Sequence, residues 1–217
     1  MLGVTAKASE ARDGMAQVWT VGFDDGYPVR VGCDFLDGDL WKTEYVDTSV
    51  EIKTVGGFFD VGAKRLGRAL KPINIPTKFR WGGAAERMPD IMLTHDVMLV
   101  SDKVKDIVES LEPKVHQFFP LETWAKGNKP AQRMYLMNIC NRLDTVDREK
   151  TTKPFVSSRY WDTPEPGELF FSLAQIGHHK FWHDKHIFDA MFFTDDVKDQ
   201  FFSAGVTGVN YYGTPAI

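Results

Sequence analysis

The feature that most constrains this chain is a thirteen-residue phrase written twice. MLVSDKVKDIVES, from Met98 to Ser110, returns 93 residues later as MFFTDDVKDQFFS, from Met191 to Ser203. Six letters are kept: Met98/Met191, Asp102/Asp195, Val104/Val197, Lys105/Lys198, Asp106/Asp199 and Ser110/Ser203. In both copies a short apolar run, a strand by composition, precedes Ser101-Asp102 or Thr194-Asp195. Such a pair supplies a helix N-cap and a first-turn acid, which suit the exposed amides and the helix dipole. Val104, Ile107, Val108 and Leu111 then fall on one helix face, as Val197 and Phe201 do in the second copy. Pro113 stops the first helix, and Gly205 takes the position after the second. The chain returns in VHQFFPL and VTGVNYY, where Phe118 and Phe119 match Tyr211 and Tyr212. The repeat is therefore a strand–helix–strand unit of about 25 residues. Two copies are too few for a solenoid, but two such units can share one sheet. Neither holds a Gly-rich phosphate loop or a nucleophile elbow, so the phrase reads as architecture rather than chemistry.

The remaining segments fill in an α+β fold, a mixed β-sheet with a few short helices. AQVWTVG (16–22) and PVRVGC (28–33) read as strands of a hairpin joined by FDDGY, and WKTEYV (41–46) with SVEIKTV (49–55) extend it. FFDVGAKRLGRALK (58–71) has the apolar spacing of a short helix, weakened by two glycines. WGGAAERMPD (81–90) reads as a loop, RMYLMNIC (133–140) as a strand and YWDTPEPGE (160–168) as a second loop. No linker rich in Pro, Gly or Ser separates independent domains. The expected division is a β-rich N-terminal subdomain, 1–87, leaning on an α+β core, 88–217, in one compact unit.

At 217 residues, 43% apolar and 26% charged, the chain can bury a sizeable core. It has no apolar run of the ~20 residues a membrane span needs. The first twenty residues lack a signal-peptide core, so a cytoplasmic protein is the expectation. Cys33 and Cys140 allow no disulfide framework or four-thiolate site, and both lie in apolar runs that favour inert buried thiols. Charge is uneven. Residues 22–51 hold eight acids against Arg30 and Lys42, whereas residues 61–85 hold six basic residues and no acid. The two blocks either face each other, stay solvated, or steer a charged partner.

No catalytic constellation is legible. In GHHKFWHDKHIFD (177–189), His179, His183 and His186 would share one face of a helix, as an imidazole metal site requires. The run lacks the HExxH pattern, and its apolar neighbours make the histidines ordinary polar side chains of a partly buried segment. A metal-dependent hydrolase built on these three stays an alternative, and no metal or other cofactor is expected. Serines occur without a strained-turn setting. Trp124, Tyr160 and Trp161 could stack on bases, but too few basic residues lie near them for nucleic-acid binding.

Over residues 88–212 the order of these elements resembles immunity protein family eleven of bacterial polymorphic toxin systems. The matching pieces are Ser101-Asp102, Phe118 to Pro120, Tyr135 to Asn138, Asp144 to Asp147, His186-Ile187-Phe188 and Gly205 to Tyr211. Val209-Asn210 before the terminal aromatic, and the histidine-rich run before His186, depart from the family pattern. The resemblance implies a non-enzymatic antitoxin that binds and occludes a cognate secreted toxin, of the kind delivered by contact or by type VI secretion. An effector adaptor or chaperone for a secretion system is a second alternative. The expected partner surface is the acidic N-terminal region, at Asp34, Asp37, Asp39, Trp41 and Glu44, because it could mask a basic toxin surface. The oligomeric state is left open.

Overall fold

The computed structural model describes residues 15–23, 33–47, 67–153, 168–187 and 190–217. Both copies of the phrase form the expected elements. The strand β5 (Val97–Ser101) leads into the helix α1 (Asp102–Leu111) and the return strand β6 (Gln117–Ala125). In the second copy β11 (Phe192–Thr194) leads into α3 (Asp195–Ser203) and β12 (Val209–Pro215). Val104, Val108, Val197 and Phe201 are the buried helix residues, as the spacing requires. Gly205 ends α3 at φ +61°, the left-handed conformation that glycine adopts without a Cβ penalty.

The two units do not share a sheet. Each is completed by a middle strand, antiparallel to both of its own. In the first, β8 (Met134–Asn138) lies between β5 and β6. In the second, β1 (Gln17–Phe23) lies between β11 and β12. The register is duplicated along with the topology. Val100 faces Tyr135 as Phe193 faces Trp19, and Phe118 faces Met137 as Tyr211 faces Val21.

The kept acids and lysines acquire a reason from this pairing. Tyr135 donates its hydroxyl to Asp102 Oδ1 at 2.8 Å, and Trp19 donates its indole N–H to Asp195 Oδ1 at 2.7 Å. Lys105 Nζ stands 5.5 Å from the Tyr135 ring centroid, and Lys198 Nζ stands 4.9 Å from that of Trp19. In both copies the middle-strand aromatic is held between a carboxylate and a cation, two contacts that favour one ring position. The Ser and Thr of the phrase occupy the N-cap positions without capping through their side chains. Ser101 instead donates to Asp90 at 2.9 Å, and Thr194 to Asp196.

Among the described residues the first sheet runs β2 (Asp34–Phe35), β3 (Lys78–Arg80), β6, β8, β5, β4 (Ile91–Thr94), with β7 (Lys129–Pro130) paired to β6. The second runs β12, β1, β11, β10 (Phe181–Asp184), β9 (Arg142–Leu143). Strands preceding residue 88 enter both sheets. α1 and α3 touch between the sheets, where one apolar cluster joins Val104 and Val108 to Val197, Phe201, Phe193 and Tyr135. A further cluster backs each sheet on its other side. β8 sends Met134 and Leu136 to one cluster and Tyr135 and Met137 to the next, so it reads as an unbroken apolar run. The short helix α2 (Leu173–Ile176) covers the second sheet near Phe171.

Glu112, at the end of α1, ties the first unit to the second sheet. Its carboxylate accepts from His116 Nε2 at 2.8 Å, the Phe181 N–H at 2.9 Å and Asn141 Nδ2 at 3.1 Å. His116 Nδ1 accepts the Cys140 N–H, which leaves the ring proton on Nε2. Burial pushes the pKa of this carboxyl up, but the bonds from His116 and the backbone outweigh it and hold the pKa below the ordinary value.

Several expectations are corrected. The described partners of β1 are β11 and β12, not a strand at 28–33, of which 28–32 lie outside the described residues. WKTEYV is not a strand. Asp39 caps a single 3-10 turn at Leu40–Lys42, Thr43 closes it by donating to Leu40 O at 2.9 Å, and only Tyr45 keeps a bridge, to Leu70. SVEIKTV and most of the expected helix 58–71 lie outside the described residues. The loop at 81–90 is present, with one 3-10 turn at Ala85–Arg87.

Candidate functional site

Described parts of the acidic and basic blocks meet along the first sheet. β2 pairs with β3, placing Asp34 opposite Arg80, and Glu44 takes an ion pair from Lys71 at 2.8 Å. Three of the expected partner residues are therefore engaged by the fold. Asp37 accepts from the Thr77 N–H at 2.8 Å, the Lys78 N–H at 2.9 Å and the Thr77 hydroxyl. Desolvation pushes its pKa up, but these bonds prevail and lower it. Asp39 caps the 3-10 turn through the Trp41 N–H at 3.1 Å and pairs with Lys42 at 3.1 Å; the Lys42 bond leads in lowering its pKa. Glu44 and Asp39 lie off the concave surface described next.

Asp34, Asp37 and Trp41 come together in a pocket of about 340 Å³. Phe35, Leu40 and Pro76 give it an apolar lining, and His95 and Asp96, the tip of the β4–β5 hairpin, also line it. Gly38, at φ +72°, makes the turn that leads into Asp39, and an added Cβ there would press on the Pro76 backbone at 2.6 Å. His95 and Asp96 have φ of 48° and 61°, the left-handed pair of a tight two-residue hairpin turn. The His95 ring lies 5.4 Å from that of Phe35. Trp41 is 66% exposed, and Leu36 and Ile73 are 45% and 58% exposed on neighbouring segments. The pocket thus combines carboxylates with accessible aromatic and apolar surface, and none of its lining residues is Lys or Arg.

Sequence reasoning missed Phe35, His95 and Asp96. The signal for the last two was IMLTHDVMLV, two apolar runs broken by a polar pair, which is the pattern of a tight hairpin. What could not be read locally was that this tip closes on residues 34–41.

The histidines do not share a helix face. Residues 181–184 form β10, a strand, so the spacing of His179, His183 and His186 carries them apart. His183 is buried with Nδ1 3.2 Å from Ala190 O. His186 Nε2 lies 3.5 Å from Asp144 Oδ2, and His179 Nδ1 lies 3.6 Å from Glu112 Oε1. Among the described residues no three His, Cys, Asp or Glu side chains are grouped to hold a metal ion. No described helix is long and apolar enough to cross a membrane. Both cysteines are unpaired, and burial raises both thiols, Cys140 to about 11.

The family model described as Immunity protein family (Imm11) matches residues 56–214, reaching further upstream than the resemblance visible by eye. No curated protein matches the chain.

Proposed function

The chain belongs to the immunity protein family Imm11, and from that premise we propose that it binds a cognate secreted toxin and neutralises it by occlusion, without catalysis. The observation that carries the reading beyond the family is the pocket beside Trp41. An exposed indole is the kind of anchor that dominates binding energy, and here it stands at the rim of an acidic hollow. Of the residues expected to meet the partner, Asp34 and Trp41 present themselves to it directly. Asp37, Asp39 and Glu44 shape and charge that surface while bonded within the fold. An acidic surface here favours a toxin surface of positive sign and speeds the encounter at low salt. A stable complex buries ~800 Å² on each partner, so the pocket is the centre of a wider contact.

Co-expression is the direct experiment. Bacteria producing the toxin domain encoded beside this chain should grow when the intact protein is present. They should grow poorly when it carries Asp34→Lys together with Trp41→Ala. Failure of the intact protein to rescue growth, with secretion of the toxin depending on it, would instead assign the chain as an adaptor. Rescue undiminished by the double substitution would move the contact surface elsewhere.

A further inference from the structure

We infer that the outer edge of β12 accepts an extended segment of the partner toxin as an added strand. The inference rests on the immunity reading for who the partner is; the kind of contact follows from the edge itself. β12 ends its sheet and has β1 on one side only. Ala216 donates its N–H to Ala16 O, so in this antiparallel register the even-numbered residues bond to β1 and the odd-numbered ones face outward. The outward row is taken at both ends: Thr207 O accepts the Ile91 N–H at 3.0 Å, and Pro215 O accepts the Phe171 N–H at 3.0 Å. Between these ends, among the described residues, nothing bonds the N–H and C=O groups of Val209, Tyr211 and Gly213.

Natural sheets blunt such rows with short strands, charges or proline. The other described sheet ends follow that habit. β2 and β9 are two residues long and carry Asp34 and Arg142, and β4 gives its first N–H to Thr207. β12 does not. It is seven residues long, residues 204–217 hold no charged side chain, and Pro215 stands where the row is already closed. Tyr212, 56% exposed, lies over Gly22 of β1, where an added Cβ would meet its ring at 2.6 Å. That ring therefore leans back over the sheet rather than across the edge. The gap admits five residues, ~17 Å of extended chain. Its length selects the occupant. A second copy would bring its own seven-residue β12 with the Phe171 segment bonded to the end, too long for a gap closed on both sides. A short strand or hairpin edge of the toxin fits, held by main-chain bonds. With no charge along it, this contact is insensitive to salt, unlike the encounter steered by residues 34–44.

The test uses the full chain and a catalytically inactive form of the toxin domain encoded beside it. Amide hydrogen exchange is followed by nuclear magnetic resonance. In the free chain the Tyr211 and Gly213 N–H groups should exchange at least about a hundredfold faster than those of Tyr212 and Thr214, which face Thr20 and Val18; in the complex all four should be slow. A second measurement replaces Gly213 with N-methylglycine in a chain whose residues 204–217 are joined by ligation at Ala204→Cys. The N-methyl group removes the outward N–H and adds no Cβ against Trp19. Relative to the ligated chain with glycine, it should weaken toxin binding about tenfold or more at low and high salt alike. Unchanged exchange at Tyr211 and Gly213 in a complex that forms, or undiminished binding by the N-methyl chain, overturns the added strand and leaves the immunity reading to growth rescue. Protection of these amides in the free chain, with doubled molecular mass, assigns the edge to a second copy and overturns it as well. Absence of both toxin binding and growth rescue overturns the immunity reading and the added strand together.

Discussion

Replacing Glu112 with Ala should be among the costliest single changes in this protein. The side chain is 5% exposed and serves three donors from three different segments: His116, Asn141 and the Phe181 backbone. Its removal leaves the buried Phe181 N–H and the His116 ring N–H without an acceptor. Each unsatisfied buried donor costs roughly 1–3 kcal/mol, more where the acceptor was charged, so with two or more left at once a loss of about 3–5 kcal/mol is expected. That is a large fraction of the ~5–15 kcal/mol by which domains are stable, and in a chain of this size it lowers Tm by roughly 10 °C. Urea titrations of the wild type, Glu112→Ala and Glu112→Gln at neutral pH measure it, with the glutamine variant falling between the other two. The pH dependence is a second, independent reading. The folded carboxyl titrates below its ordinary 4.5, so the unfolded chain takes up this proton first on acidification. The stability due to its charge is whole above pH 4.5 and drains away as pH falls through the lower folded value. The gap between wild type and Glu112→Gln should therefore close on acidification. A loss under about 1 kcal/mol for Glu112→Ala, or a gap that does not change with pH, refutes the role given to this residue.

Two further outcomes follow from the geometry. Asp195→Ala should destabilise more than Asp102→Ala in thermal melts. Asp195 accepts both the Trp19 indole and the Gln17 N–H at 2.8 Å, whereas Asp102 takes the Tyr135 hydroxyl; roughly 2–3 against 1 kcal/mol is expected, and equal losses would contradict it. In a Cys33→Ser background, Cys140 should react with an aromatic disulfide reagent far more slowly at pH 8 than a free thiol. Burial has raised its thiol to about 11, so thiolate accumulates only near that pH; reaction at the rate of a free thiol would show the site to be open.

What was legible in the sequence was what is local. The faces of α1 and α3 could be read because Val104 and Val108, or Val197 and Phe201, are set by a period of 3.6 along one segment. The role of Asp102 and Asp195 was only half legible. Their position at a helix start could be read, but the aromatics that bond them sit on β8 and β1, reached through the tertiary fold. The histidine spacing misled because β10 is buried on both faces, Phe181 toward one cluster and Trp182 toward another. It therefore lacks the alternation that announces a strand. The acid-rich stretch 34–44 stands out in the sequence by its charge. The sorting of its carboxylates was not visible, since Thr77, Lys78 and Lys71, which claim Asp37 and Glu44, come from the basic block. Charge counted along the chain says how much is present and not how much the fold has already used.

The two middle strands reach their places from opposite directions along the chain, and this sets an order of assembly during synthesis. β8 follows β6 closely, so the first unit has all its parts once residue 138 has emerged from the ribosome. β1 emerges long before it, yet its neighbours β11 and β12 are made last, and Gln17 meets Pro215 only when the chain is nearly finished. Closing a loop of that length carries a large entropic cost, so the second unit depends on a scaffold the first has already provided. Until then Val18 and Trp19 travel as an apolar strand with open edges, the state most exposed to wrong partners. A nick between residue 138 and the second copy divides the molecule unequally. One fragment keeps a unit with its middle strand, and the other keeps two strands with a gap between them.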